Sequence, residues 1–220
     1  MGSHKSPKRK VYTRRSRGKK NLLLAITFLA ILAIAITAFV VFGLNGLGSP
    51  ANPSSSPSPS PTAQGDSSPT KVLLKTTKGD IVIELRNDTP ITTGNFRNLV
   101  KQGIYNGTIF HRVIADFMIQ GGDPTGTGYG DPSIPNIQDE FTANNRNDRG
   151  TIAMANAGPN TGSSQFFINV VNNNYLDTKH PVFGTVIQGM DVVDAISQVA
   201  TDSNDKPTED VTIIKAELVS

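Results

Sequence analysis

Cysteine and tryptophan are both missing from this 220-residue chain, and histidine occurs only three times. Without cysteine there is no disulfide framework, no thiolate metal site, no cysteine nucleophile and no lipobox for a lipid anchor. His4, His111 and His180 lie far apart along the chain, so a zinc site is not expected. Familiar catalytic signatures are also wanting. There is no G-x-S-x-G elbow, no phosphate-binding loop and no H-E-x-x-H. The glycine-rich "GGDPTGTGYG" follows no strand–helix phosphate pattern and reads as a surface loop. Carboxylates are scattered, with no obvious pair for acid–base work. Neither a metal nor a cofactor is expected.

Charge is scarce, at 18% of residues, and unevenly placed. Residues 1–20 hold nine of the 21 Lys and Arg and no acid, which leaves 12 bases against 18 acids in the rest. A body with that mildly acidic balance argues against nucleic acid as its partner.

Residues 1–21 form a basic amino-terminal segment, containing "KRKVYTRRSRGKK". Residues 22–44, "LLLAITFLAILAIAITAFVVFGL", carry no charge. As a helix they would span ~34 Å, enough for a ~30 Å hydrocarbon core. The segment is longer than the apolar region of a cleaved signal peptide and no clear Ala-x-Ala site follows, so an uncleaved anchor is expected. The basic run then keeps the amino terminus in the cytoplasm and directs the rest outside, periplasmic or extracellular. Topology explains that run without recourse to nucleic acid, anionic lipid or a twin-arginine signal. Residues 45–69 read as a linker, with six prolines and eight serines between positions 49 and 69. That composition cannot bury a core and favours extended polyproline II.

Residues 70–220 make the folded domain. "KVLLKTTKGDIVIEL" predicts a hairpin turning at Lys78-Gly79. A helix is expected from Thr89 to Gly103, and a second over Met190–Ala200 with Met190, Val193, Ile196 and Val199 inward. The remaining apolar runs are short and separated by Gly, Asn and Pro, which suggests an antiparallel barrel or sandwich capped by helices.

Inside these runs sit polar residues that core does not need. In "FHRVIADFMIQGGD", strict alternation puts Phe110, Arg112 and Ile114 on one face, and Ile109, His111 and Val113 on the other, with His111 structural. Arg112 therefore shares a face with large apolar side chains. A lone arginine usually covers such a face with its stem. Here Gln120 could hold the guanidinium in place.

"FHRVIADFMIQGGD", "MANAGPNTGSSQFFI" and "LDTKHPVFG" resemble, in order and spacing, the three signature blocks of the cyclophilins, the cyclophilin-type peptidyl-prolyl cis-trans isomerases. The resemblance covers residues 71–220. It implies a mainly β fold, a closed eight-stranded antiparallel barrel capped by two α-helices, with a groove outside. It also implies an enzyme that speeds rotation about X-Pro bonds and binds proline-containing polypeptides. In that likeness Arg112 is the catalytic arginine, Gln120 orients it, and the Asn156 backbone grips substrate. Phe117, Met118, Phe167 and Leu176 form the proline pocket, with His180 at its rim. Ala155, Ala157, Gln165 and, in a loop of altered length, Gly126 match further groove positions. Tyr175 stands where many members carry tryptophan, so weak or no cyclosporin binding is expected. Outside the membrane, where the basic run directs the domain, a monomer assisting protein folding is expected. The alternative is a non-catalytic proline-peptide binder or envelope chaperone on the same fold.

Overall fold

The computed structural model describes residues 70–220; the expected anchor, linker and basic segment lie outside the described residues. Eight strands form one antiparallel sheet: β1 (Lys71–Thr76), β2 (Gly79–Leu85), β3 (Arg112–Ile114), β4 (Met118–Gly121), β5 (Thr151–Met154), β6 (Phe166–Asn169), β7 (Val182–Gln188) and β8 (Ile213–Val219). They are hydrogen-bonded in the order β3-β4-β6-β5-β7-β2-β1-β8. Two helices, α1 (Pro90–Lys101) and α2 (Met190–Ser197), and a 3-10 turn at Asn174–Leu176 complete the set. Among the described residues no helix is long and apolar enough to cross a membrane.

The sheet curls into a half-barrel rather than the closed barrel expected. Its end strands, β3 and β8, do not pair along their lengths, because β3 has only three residues. Its margins meet through a short bridge instead. Phe110 N–H donates to the Val211 carbonyl (2.9 Å), and Ile213 N–H to that of Thr108 (2.8 Å). The β1–β2 hairpin turns at Thr77-Lys78, with Gly79 already paired to Thr76, one residue earlier than expected. Gly79 sits at φ +135°, and a Cβ there would lie 2.8 Å from Val192 Cγ2 on the α2 side. The hairpin thus accepts α2 closely only because that residue is glycine.

α1 begins at Pro90, whose missing N–H costs nothing in a first turn. Its N-terminus is capped from afar. Glu140 accepts from Ile91 N–H (3.1 Å), Thr92 N–H (2.6 Å) and the Thr92 hydroxyl (2.8 Å), a carboxylate on the positive end of the helix. The inner face of α1 delivers Phe96 to the concave side of the sheet. There its ring meets Tyr105, Phe166 and Phe183 at 5.0, 5.6 and 5.1 Å between centroids. Val193 and Ile196 of α2 are fully buried in the same core, while Met190 and Val199 pack at its edge. Such aromatic contacts add to the burial of area that drives folding.

A smaller apolar cluster covers the opposite side of the sheet. Met118, Ala153, Phe167 and Val182 are buried there, with Ile114, Phe117, Ala155 and Leu176 packed around them. β6 serves both sides. Phe166 and Ile168 face the main core, Phe167 the outer cluster, and all four of its residues are buried.

Replacing Phe96 with alanine is expected to cost about 3–5 kcal/mol, because three rings lose a common neighbour. Ile214→Ala, at a side chain 59% exposed, should stay within about 0.5 kcal/mol. Urea unfolding of residues 70–220 measures both; comparable losses would count against the main core as described.

Candidate active site

On the outer cluster lies a groove of about 940 Å³. β3 and β4 form its floor. The cross-strand pairs Arg112–Gln120 and Ile114–Met118 point outward, while Val113 and Ile119 between them point into the core. Period-two alternation holds from Arg112 onward but not before it. Phe110 is buried in the main core alongside Val113, because residues before Arg112 belong to the bridge to Val211 and are not strand. The shift turns His111 to the groove beside Arg112, contrary to the expectation that it faces away.

Ten of the thirteen residues singled out in the sequence line this groove, namely Arg112, Phe117, Met118, Gln120, Gly126, Ala155, Asn156, Phe167, Leu176 and His180. Ala157 and Gln165 line a second depression of about 510 Å³, which shares Gln120, Gly128, Tyr129, Ala155 and Asn156 with the first. Tyr175 lines neither. It is 67% exposed and stacks on Phe117 with 6.3 Å between ring centroids. Residues that sequence reasoning missed are His111, Thr127, Gly128, Tyr129, Asp202, Asn204 and Lys206. Most lie on two loops with no regular period, so no pattern marked them.

Apolar and polar parts of the groove are held by different means. Phe167 anchors the pocket, edge-on to His180 with centroids 5.3 Å apart. The His180 Nδ1 lies 3.1 Å from the Met154 carbonyl, which can only accept, so Nδ1 carries the proton in the neutral ring. Burial pushes the His180 pKa below its ordinary value. Burial does the same to His111, with Arg112 and Lys206 acting in the same sense and Asp123 against it. Both His111 ring nitrogens are buried without a hydrogen-bond partner.

Gln120 donates from Nε2 to Gln165 Oε1 (2.9 Å), and Gln165 Nε2 to the Gly128 carbonyl (3.0 Å). The amide expected to hold the guanidinium therefore ties β4 to the glycine-rich loop. Arg112 pairs instead with Asp205, Nε to Oδ2 at 3.6 Å. The Asn156 side chain is occupied, donating to the Lys179 carbonyl (2.8 Å) and accepting from Gly158 N–H (3.3 Å). Its main-chain N–H and carbonyl take no partner among the described residues, which leaves them free to meet an extended chain.

The loop after Gly122 is wound around one buried carboxylate. Asp123 accepts from Thr125 N–H (2.9 Å), Gly128 N–H (2.6 Å), Gly130 N–H (3.2 Å) and the Thr125 hydroxyl (2.9 Å). Burial raises its pKa, yet those donors outweigh burial and hold the carboxyl below its ordinary value. Gly122 lets the chain enter this loop. At φ +81° a Cβ there would lie 2.7 Å from Phe166 Cδ1.

Beneath the far wall runs a chain of buried asparagines. Asn173 Nδ2 donates to the Phe117 carbonyl (2.9 Å) and to Asn169 Oδ1 (2.8 Å), and Asn169 Nδ2 to Asn147 Oδ1 (3.2 Å). Asn145 Nδ2 donates to the Asp177 (2.6 Å) and His180 (3.1 Å) carbonyls. Together they fix the segment bearing Leu176 and His180 to the strand below. Among the described residues no cluster of His, Asp or Glu could hold a metal ion.

The chain has counterparts of similar sequence and fold. Residues 71–218 match the family described as cyclophilin type peptidyl-prolyl cis-trans isomerase/CLD. The human peptidyl-prolyl cis-trans isomerase-like 1 is 49% identical over 152 residues, covering 67% of this chain and 92% of the human protein. The isomerase ppi1 of Schizosaccharomyces pombe is 50% identical over 149 residues, 66% of this chain and 96% of the yeast protein. A crystal structure of a Cryptosporidium parvum cyclophilin type isomerase, in the presence of the dipeptide Ala-Pro, superposes with a TM-score of 0.66 at 35% identity. It covers 68% of this chain and 99% of that one.

Two outcomes are expected from this geometry. Asn173→Ala should cost about 1–3 kcal/mol in urea, because buried acceptors lose their donor; no loss would mean that the asparagine chain is not under load. Stability should also fall as pH drops from about 7. Below about 6.5 the unfolded chain protonates both groove histidines, while the folded chain, with their pKa values depressed, does not. A His111→Gln, His180→Gln double variant should lose less stability between pH 7 and pH 5.5 than the parent. Equal declines would exclude these histidines as the cause.

Proposed function

The chain belongs to the cyclophilin-type peptidyl-prolyl cis-trans isomerase family, and from that premise we propose how its groove does the work. The activity is isomerisation of X-Pro peptide bonds. Amide resonance opposes this rotation by ~18–20 kcal/mol, and uncatalysed exchange takes tens to hundreds of seconds. No covalent bond must break and no proton must leave. The task is to favour the twisted amide, in which the prolyl nitrogen recovers its lone pair.

The observation that carries the reading is a guanidinium beside an apolar pocket, with free main-chain groups across from it. Phe117, Met118, Phe167 and Leu176 receive the proline ring. The Asn156 N–H and carbonyl hold the preceding residue, so that one side of the bond is fixed while the other turns. Arg112 donates to the prolyl nitrogen as the lone pair appears, an interaction stronger in the twisted state than in either planar one. Arginine suits the place because it stays charged and offers several donors in a fixed plane. Gln120 contributes through Gln165, which ties the glycine-rich loop to the strand beside Phe167.

We further propose that residues 22–44 anchor the enzyme in the cytoplasmic membrane, with the domain outside on its proline- and serine-rich tether, where it assists folding as a monomer. Tyr175, exposed and stacked on Phe117, offers no indole N–H, which supports weak or no cyclosporin binding.

A proline-peptide isomerisation assay on the domain tests the mechanism. Arg112→Ala should lower kcat/KM by roughly 10²–10³, the usual effect of removing one donor aimed at developing charge. Retention of the parent rate would refute Arg112 as the donor, and no acceleration by the parent would favour a binding module. Protease treatment of intact cells tests orientation. The domain should be shed, and a protected domain would contradict it.

A further inference from the structure

We propose that Asp205 is the positioning residue for Arg112, in place of the glutamine expected to do so. The proposal rests on the isomerase reading above. β3 is the margin of the sheet, and its Val113 N–H finds no neighbouring strand. It donates instead to the Asp205 carbonyl at 2.8 Å. The carboxylate of the same residue reaches back to the preceding residue of β3, with Oδ2 3.6 Å from Arg112 Nε. Asp205 thus grips two consecutive residues of β3, one through its main chain and one through its side chain.

The turn that presents it is built for the purpose. Asp205 has φ +63°, a left-handed conformation that Asp, Asn and Gly tolerate and other residues resist. Asp202 closes the turn. Its carboxylate accepts from Asn204 N–H (2.7 Å) and Lys206 N–H (3.1 Å), its N–H donates to the Lys206 carbonyl (2.8 Å), and its carbonyl accepts from Asp205 N–H (3.2 Å). A strained residue beside a reacting group, held by its surroundings, is the usual sign of a position kept for function.

The Arg112 side chain is 43% exposed and its terminal nitrogens donate no hydrogen bond among the described residues. Left alone, so long a side chain would sample many orientations. A carboxylate at Nε restrains the stem and leaves the terminal N–H groups for the prolyl nitrogen, so the ordering cost is met before substrate arrives. The carboxylate also offsets some of the positive charge. At an exposed site that effect is weak and screened, so orientation decides the sign.

The test uses the full 220-residue chain with Asp205→Asn and Asp205→Gly, both compatible with the left-handed backbone. Each should lower kcat by roughly two- to fivefold, the range an exposed ion pair spans, with KM unchanged. The ratio of parent to variant kcat should shrink towards one at ~1 M salt, where the pair is screened. A merely structural turn would give Asp205→Gly the parent kcat at every salt concentration. Variants as fast as the parent or faster overturn the proposal while the parent remains active. An inactive parent would remove the isomerase reading itself, and this one with it.

Discussion

Everything in the groove depends on one sheet burying both of its faces at the same strands. β6 shows the constraint most plainly. Phe166 and Ile168 complete the core under α1, and Phe167 forms the outer pocket with Met118 and Val182. Hydrophobic burial therefore fixes Phe167 from behind as well as from beside. The pocket floor is as rigid as the core because it is the back of the core. Recognition of an apolar ring needs little more than that.

Polar groups then settle what hydrophobicity cannot. Burial alone has no direction, so the walls are set by hydrogen bonds with definite partners. Asp123 winds one loop, the asparagine chain pins the segment around Leu176, and the turn at Asp202 closes against β3. Gln120, expected to hold the guanidinium, donates instead to Gln165, while Asn156, expected to act through its backbone, spends its side chain on the Lys179 carbonyl and keeps its main-chain groups unpartnered among the described residues.

Legibility in the sequence followed the range of the interaction. Local periodicity placed both helices and the β1–β2 hairpin to within a few residues, and long signature blocks brought Arg112, Phe117, Met118 and Phe167 to one place. It failed at His111, because alternation was carried back through residues that pair with Val211 rather than with a neighbouring strand. It failed again at Asp205, which meets Arg112 only because a margin strand three residues long leaves an N–H unpaired. The half-barrel has the same cause. A short β3 cannot complete a ladder with β8, and strand length at a margin is the least readable feature of a β sequence. Tyr175 stands where its block predicted, yet its ring leans on Phe117 from outside the groove.

Winding a loop on a single carboxylate separates two things that usually change together. Asp123 ties down Thr125, Gly128 and Gly130, and Gly126, Thr127, Gly128 and Tyr129 line the groove that holds Arg112. Asp131, Pro132, Ile134, Pro135 and Asn136 line only the second depression. Changes in that outer stretch can reshape the second depression without unwinding the loop from Asp123. The two depressions can thus vary separately even though they share a rim.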